Sequence, residues 1–163
     1  MAKLKIDIRE SIELNNNKYD NFNSFVIQEI DEISKRIATI PLTEQSLVSI
    51  SGSLGAGSFI TSDVRYMRFT NMGNPTDPQA NVRLTFKNTN DNEFQVKIPT
   101  GGSFLYNGIS GSGVSNTLAC SGSALSSSLG DGSNPDDTLG SLSTITAISS
   151  GSACDLEYIV ASN

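Results

Sequence analysis

Val82-Arg83-Leu84-Thr85-Phe86-Lys87, Asn88-Thr89-Asn90-Asp91-Asn92 and Glu93-Phe94-Gln95-Val96-Lys97-Ile98 together spell out a β-hairpin. Val82, Leu84 and Phe86 alternate with Arg83, Thr85 and Lys87, and Phe94, Val96 and Ile98 alternate with Gln95 and Lys97. Successive side chains of a strand point to opposite faces, so this period of two sends one face to a core and the other to water. The five residues between the two runs are turn formers.

The same alternation extends towards both ends. Leu4, Ile6, Ile8, Ile12 and Leu14 share one phase against Lys3, Lys5, Asp7, Arg9 and Glu13, and Asn15-Asn16-Asn17 closes a strand followed by a turn. From Phe22 to Ile40 two readings compete. Val26, Ile30, Ile33, Ile37 and Ile40 have a 4-3-4-3 spacing that fits one helix face, capped at Asn23 or Ser24 and ended by Pro41. The alternative breaks at Asp31-Glu32 and makes Phe25 to Ile30 and Lys35 to Ile40 separate strands; the β-branched residues of the run favour it.

Further strands are predicted at Leu47 to Ser51 and Val64 to Thr70, with Gly52 to Gly57 as a loop and Asn71 to Pro78 as a turn-rich connection. Pro99-Thr100-Gly101-Gly102 turns the chain again before Ser103-Phe104-Leu105-Tyr106. In the last strand Cys154, Leu156, Tyr158 and Val160 oppose Asp155, Glu157 and Ile159, and Leu142 to Ser149 is expected to pair with it across Ser150-Gly151-Ser152. About half of the residues from Asn107 to Ser141 are serine or glycine, a composition that buries little surface per residue. The whole predicts one all-β domain over residues 1–163, an antiparallel β-sandwich or jelly-roll-like module, with 107–141 as a long Ser/Gly-rich insertion or arm.

A chain of 163 residues is long enough to bury roughly 70% of its unfolded surface. Its net charge of -6, from 11 basic and 17 acidic residues, speaks against nucleic acid, whose binding draws on clustered Lys and Arg. The charged, alternating amino terminus has no continuous apolar run, so neither a signal peptide nor a membrane span is expected and folding is expected in a cytoplasm. Cys120 and Cys154 are too few for a disulfide framework; Cys154 falls on the apolar phase of its strand and reads as a buried free thiol, while its pairing with Cys120 stays open.

Histidine is absent, which removes the commonest general base near neutral pH and the commonest transition-metal ligand. The serines lie in low-complexity sequence without a histidine partner, and no Lys-Ser/Thr follows Gly52 to Gly57, so neither a serine nucleophile nor a phosphate loop is read from them. Catalytic and cofactor-binding residues are therefore expected to be absent. Asp131, Asp136 and Asp137, in Gly130-Asp131-Gly132-Ser133-Asn134-Pro135-Asp136-Asp137, are the one calcium candidate, with a spacing that departs from an EF-hand and equally suits a solvated turn. The acid pairs Asp31-Glu32 and Asp155/Glu157 read as solubilising charges that guard strand edges rather than as a glycosidase dyad.

The succession Lys35-Arg36-Ile37-Ala38-Thr39-Ile40-Pro41, Val64-Arg65-Tyr66-Met67-Arg68-Phe69-Thr70-Asn71 and Cys154-Asp155-Leu156-Glu157-Tyr158-Ile159-Val160-Ala161 resembles small virion structural proteins of tailed bacteriophages, particularly those infecting aquatic bacteria. The resemblance implies a non-enzymatic β-module repeated on a particle: a capsid decoration or cement protein, or a tail, neck or fibre-associated component. It would be assembled in the host cytoplasm, with the major capsid protein or other virion proteins as partners and homo-oligomerisation expected. A carbohydrate- or receptor-binding sandwich using Tyr66, Tyr106 or the Asp131 to Asp137 loop is the alternative, weakened by the absence of tryptophan.

Overall fold

A computed structural model describes residues 2–53, 55, 57–74, 76–89, 93–107, 118–119 and 139–163. The described residues contain strands and no helix. The chain opens with β1 (Ala2–Leu14) and β2 (Asn17–Ile30), which among the described residues pair only with each other. After β3 (Glu32–Ile40), β4 (Gln45–Ser51) and β5 (Ser58–Ile60) come β6 (Val64–Gly73), β7 (Asn81–Asn88), β8 (Glu93–Ile98) and β9 (Ser103–Asn107). The short β10 (Leu118–Ala119) and β11 (Leu139–Gly140) pair antiparallel, and β12 (Leu142–Ser150) and β13 (Cys154–Ser162) end the chain.

Two sheets make the body. One runs β5-β4-β12-β7-β8, the other β3-β13-β6-β9, and all pairings are antiparallel except β4 with β5. The inward phases meet in one core, where Ile40, Met67, Phe69, Leu156 and Val160 of the smaller sheet pack with Val48, Val82, Leu84, Phe86 and Ile145 of the larger. Phe69 is the hinge of this contact: its ring lies edge-on to Phe86 at 6.1 Å across the layers and stacks with Tyr158 at 6.2 Å within its own sheet. The chain is thus an all-β, sandwich-like protein.

The hairpin of β7 and β8 has the expected register, from Val82 opposite Ile98 to Lys87 opposite Glu93. Strands, not a helix, occupy 22–40, broken at Asp31. The helix-like spacing has a structural cause. Ala2 pairs with Ile30 but Leu4 with Ile27, so β2 bulges at Gln28-Glu29, where Glu29 takes φ 59°. The bulge lets residues three apart, Ile27 and Ile30, both turn inward.

The closing strands differ from the expectation. Leu142 to Ser149 does not pair with the last strand: β12 lies between β4 and β7, and β13 between β3 and β6, in the opposite sheet. Gly151, at φ 93°, helps carry the chain from one layer to the other rather than around a hairpin. A three-residue Ser-Gly-Ser link and an alternating pattern suit both connections, but only the crossing gives each strand two neighbours and a buried inner face. Each sheet is completed at its centre by the last segments of the chain, an arrangement dominated by contacts distant in sequence.

Candidate functional site

The most distinctive surface is the hairpin of β1 and β2. Asn15 and Asn16, at φ 51° and 62°, form a two-residue turn with both centres left-handed, a conformation asparagine tolerates and one that matches the twist of the flanking strands. Register places Leu4, Ile6, Ile8, Glu10, Ile12 and Leu14 on one face, opposite Ile27, Phe25, Asn23, Asn21, Tyr19 and Asn17. The other face carries Lys5, Asp7, Arg9, Ser11 and Glu13, held in part by Lys5–Asp7 at 3.0 Å and Lys18–Asp20 at 3.1 Å, with Ser24 donating to Asp7 at 2.6 Å.

The apolar face divides in two. Near the body, Ile27 and Ile30 are buried with Tyr66 and Ala161, and Leu4, Ile6, Phe25 and Ile159 pack around them. Tyr66, Ile159 and Ala161 lie on the outer face of the smaller sheet, so the arm's base is seated there. Full burial of an isoleucine contributes about 1.5–3 kcal/mol, which fixes the base firmly. Beyond Ile6 and Phe25 the same face is open: Ile12, Leu14 and Tyr19 are 60%, 58% and 59% exposed. An isolated two-stranded hairpin is marginal in water, so a distal arm with an uncovered apolar face is suited to meeting a partner.

Next to the seat lies a charged row. Glu157 points outward from β13 and is bracketed by Lys35, at 2.9 Å, and Arg68, with its side chain only 13% exposed. Thr39 donates to Asp155 at 2.8 Å. These acids therefore do not guard a strand edge as the sequence suggested, because β13 is an interior strand whose outward carboxylates meet partners on its neighbours. The bond from Lys35, with its charge and that of Arg68, holds the Glu157 carboxyl below its ordinary range against the opposing effect of burial.

A depressed carboxylate stabilises the fold above the unfolded-state pKa and loses that contribution as pH falls through the folded value. Glu157→Gln is accordingly expected to lower stability by about 1 kcal/mol at pH 7 and by progressively less below pH 4.5. Thermal melts of both proteins between pH 7 and pH 3 check this; a gap that stays constant to pH 3 would contradict it.

The other sequence candidates fare differently. Tyr66 is 5% exposed beneath the arm, where burial pushes its phenol above its ordinary value, and Tyr106 is half-buried against the core. Neither offers an open aromatic platform for a sugar. Cys154 is a buried free thiol beside the Ser149 hydroxyl at 3.2 Å. Cys120, Asp131, Asp136, Asp137 and most of the 107–141 segment lie outside the described residues, among which no cluster of three acidic, cysteine or histidine side chains could hold a metal. Gly52 to Gly57 leads into strand β5, not into a helix.

A cleft of about 370 Å³ opens between the edges of the two sheets, lined by Glu32, Ser34, Arg36, Leu47, Phe59 and Tyr158. Arg36 stands opposite Tyr158 in the ladder, an inward charge that keeps edge strand β3 soluble. What sequence reasoning missed was the division of the arm: the alternation of β1 was plain, but nothing in it told which half would be covered. No protein-family model matches the chain, and neither do any curated proteins or solved structures.

Proposed function

We propose that this chain is a non-enzymatic structural protein of a virion, a decoration or cement subunit that makes repeated protein–protein contacts on a phage shell after synthesis in the host cytoplasm. The observation that supports it is the arm: a long hairpin anchored at its base to a well-packed sandwich, offering a distal apolar face to solvent. A subunit that must grip neighbours needs a rigid body and a reaching contact, and sheet edges and extended arms supply such contacts. The outward carboxylates, bound to Lys35, Arg68 and Thr39, serve the sheet and leave assembly as the role best suited to the exposed surface.

Quantitative mass spectrometry of purified particles tests the proposal. A copy number that scales with the capsomers of the shell is the expected result. A small fixed number set by tail symmetry would move the protein to the tail or neck, and its absence from particles would overturn the virion reading.

A further inference from the structure

We infer that the distal face of the arm docks on a second copy of this chain, with each arm of a two-fold pair lying on the outer face of the other's β3-β13-β6-β9 sheet. The inference rests on the assembly reading above and names its first partner.

Four observations carry it. The distal stripe of Ile8, Ile12, Leu14 and Tyr19 continues, without change of face, the stripe whose proximal half is already seated on this sheet. The receiving surface likewise continues past that seat. Ile33 of β3 stands in the same row as Ala161 and Tyr66, yet it is 57% exposed, and Ile37, two outward rows further along β3, is 63% exposed. The outer face also bares Leu105 of β9, opposite Arg68. The molecule therefore shows two unfilled halves of one kind of contact, and its own arm base demonstrates how they fit.

Charge agrees with shape. Glu10 is the only charged residue on the stripe, and the outward row between Ile33 and Ile37 carries two cations, Lys35 and Arg68, while the acid paired with both, Glu157, stands in the row of Ile37. An incoming Glu10 meets the net positive part of the sheet. Size agrees too. Complete cover of the four stripe residues and three receiving residues would bury roughly 700 Å² per protomer, close to one side of a standard stable interface. A reciprocal two-fold arrangement satisfies both halves at once, which a one-way contact does not.

Sedimentation velocity and native mass spectrometry of the full chain test this. The wild type is expected to form a concentration-dependent dimer. Ile12→Lys on the arm and Ile37→Lys on the strip should each weaken dimerisation at least tenfold, with circular dichroism unchanged and, at dilutions where the wild type is monomeric, the same melting temperature, because both side chains are exposed in the single chain. An equimolar mixture of the two variants should regain association, since one of its two seats pairs an intact arm with an intact strip. A wild type that stays monomeric at the highest attainable concentration, or a mixture that associates no better than either variant alone, would overturn the inference. A monomer that still loads onto particles through Ile12 would sink the second-copy contact and leave the virion proposal standing; a dimer absent from particles would do the reverse.

Discussion

Phe69→Ala is expected to cost about 3–5 kcal/mol and lower the melting temperature by roughly 10 °C or more. Phe69 is fully buried, and it is the side chain through which the two layers touch: edge-on to Phe86, stacked with Tyr158, with Phe86 itself packed on Phe94 at 5.2 Å and Phe104 at 5.3 Å. Removing the ring loses its burial and opens a cavity in the middle of this aromatic chain. Strands on either side are tied by ladders and cannot collapse into the space, so the loss belongs at the upper end of the range for large-to-small substitutions. Urea denaturation followed by tyrosine fluorescence measures it; a loss under 1.5 kcal/mol would mean that the layers are held together elsewhere.

Asn71→Ala is expected to cost about 3 kcal/mol, although it deletes only a small polar group. Asn71 sits fully buried near the end of β6, where its amide nitrogen donates to the carbonyls of Ala80 at 3.0 Å and Ile98 at 3.1 Å, and its side-chain oxygen accepts from the Gly73 amide at 2.8 Å. Its backbone closes the same knot, donating to Gly102 and accepting from Gly101. One side chain thus clasps the 74–80 turn and the end of β8 to β6. Alanine takes the side-chain partner from the Ile98 carbonyl and the Gly73 amide, while the Ala80 carbonyl keeps the Thr100 hydroxyl, which donates to it at 2.7 Å, and a buried polar group left without its partner is costly. Chemical denaturation gives the size of the loss. A cost within 0.5 kcal/mol would show that water takes over the bonds of the amide.

The hairpin from Val82 to Ile98 was legible because burial on one face fixes register, and a shift of one residue would turn every apolar side chain outward. The run from Val26 to Ile40 was harder for a specific reason. Its isoleucines do not all share one face: Ile30 belongs to the buried base of the arm, Ile33 and Ile37 lie exposed on the outer face of the smaller sheet, and Ile40 is in the main core. A bulge at Gln28-Glu29 and a break at Asp31 shift the phase of the alternation, and two such shifts imitate a helical period. The partnership of β12 and β13 was misread because a short link and two alternating strands describe a hairpin and a crossing equally well; only the competition of β3, β4, β6 and β7 for central neighbours separates them.

The candidate site was less legible than the fold. Alternation in β1 gave its two faces, and the Asn-rich turn gave its tip, but burial of the proximal half depends on Tyr66 and Ala161, which are distant in sequence. The charged row follows the same logic. Glu157 looked like an edge guard until the pairing of β13 with β3 and β6 placed Lys35 and Arg68 on either side of it. Long-range pairing, rather than local pattern, decided what each exposed residue is next to.

The arm as the assembly contact is open to one direct measurement: hydroxyl-radical footprinting of the intact protein, compared between the dilute free chain and the assembled state. Ile12, Leu14 and Tyr19 are expected to be labelled readily in the free chain and protected on assembly, while Leu84 and Phe69 in the core stay protected in both. Equal labelling of Leu14 and Tyr19 in the two states would contradict the arm's role and send the search for the contact to another surface of the body.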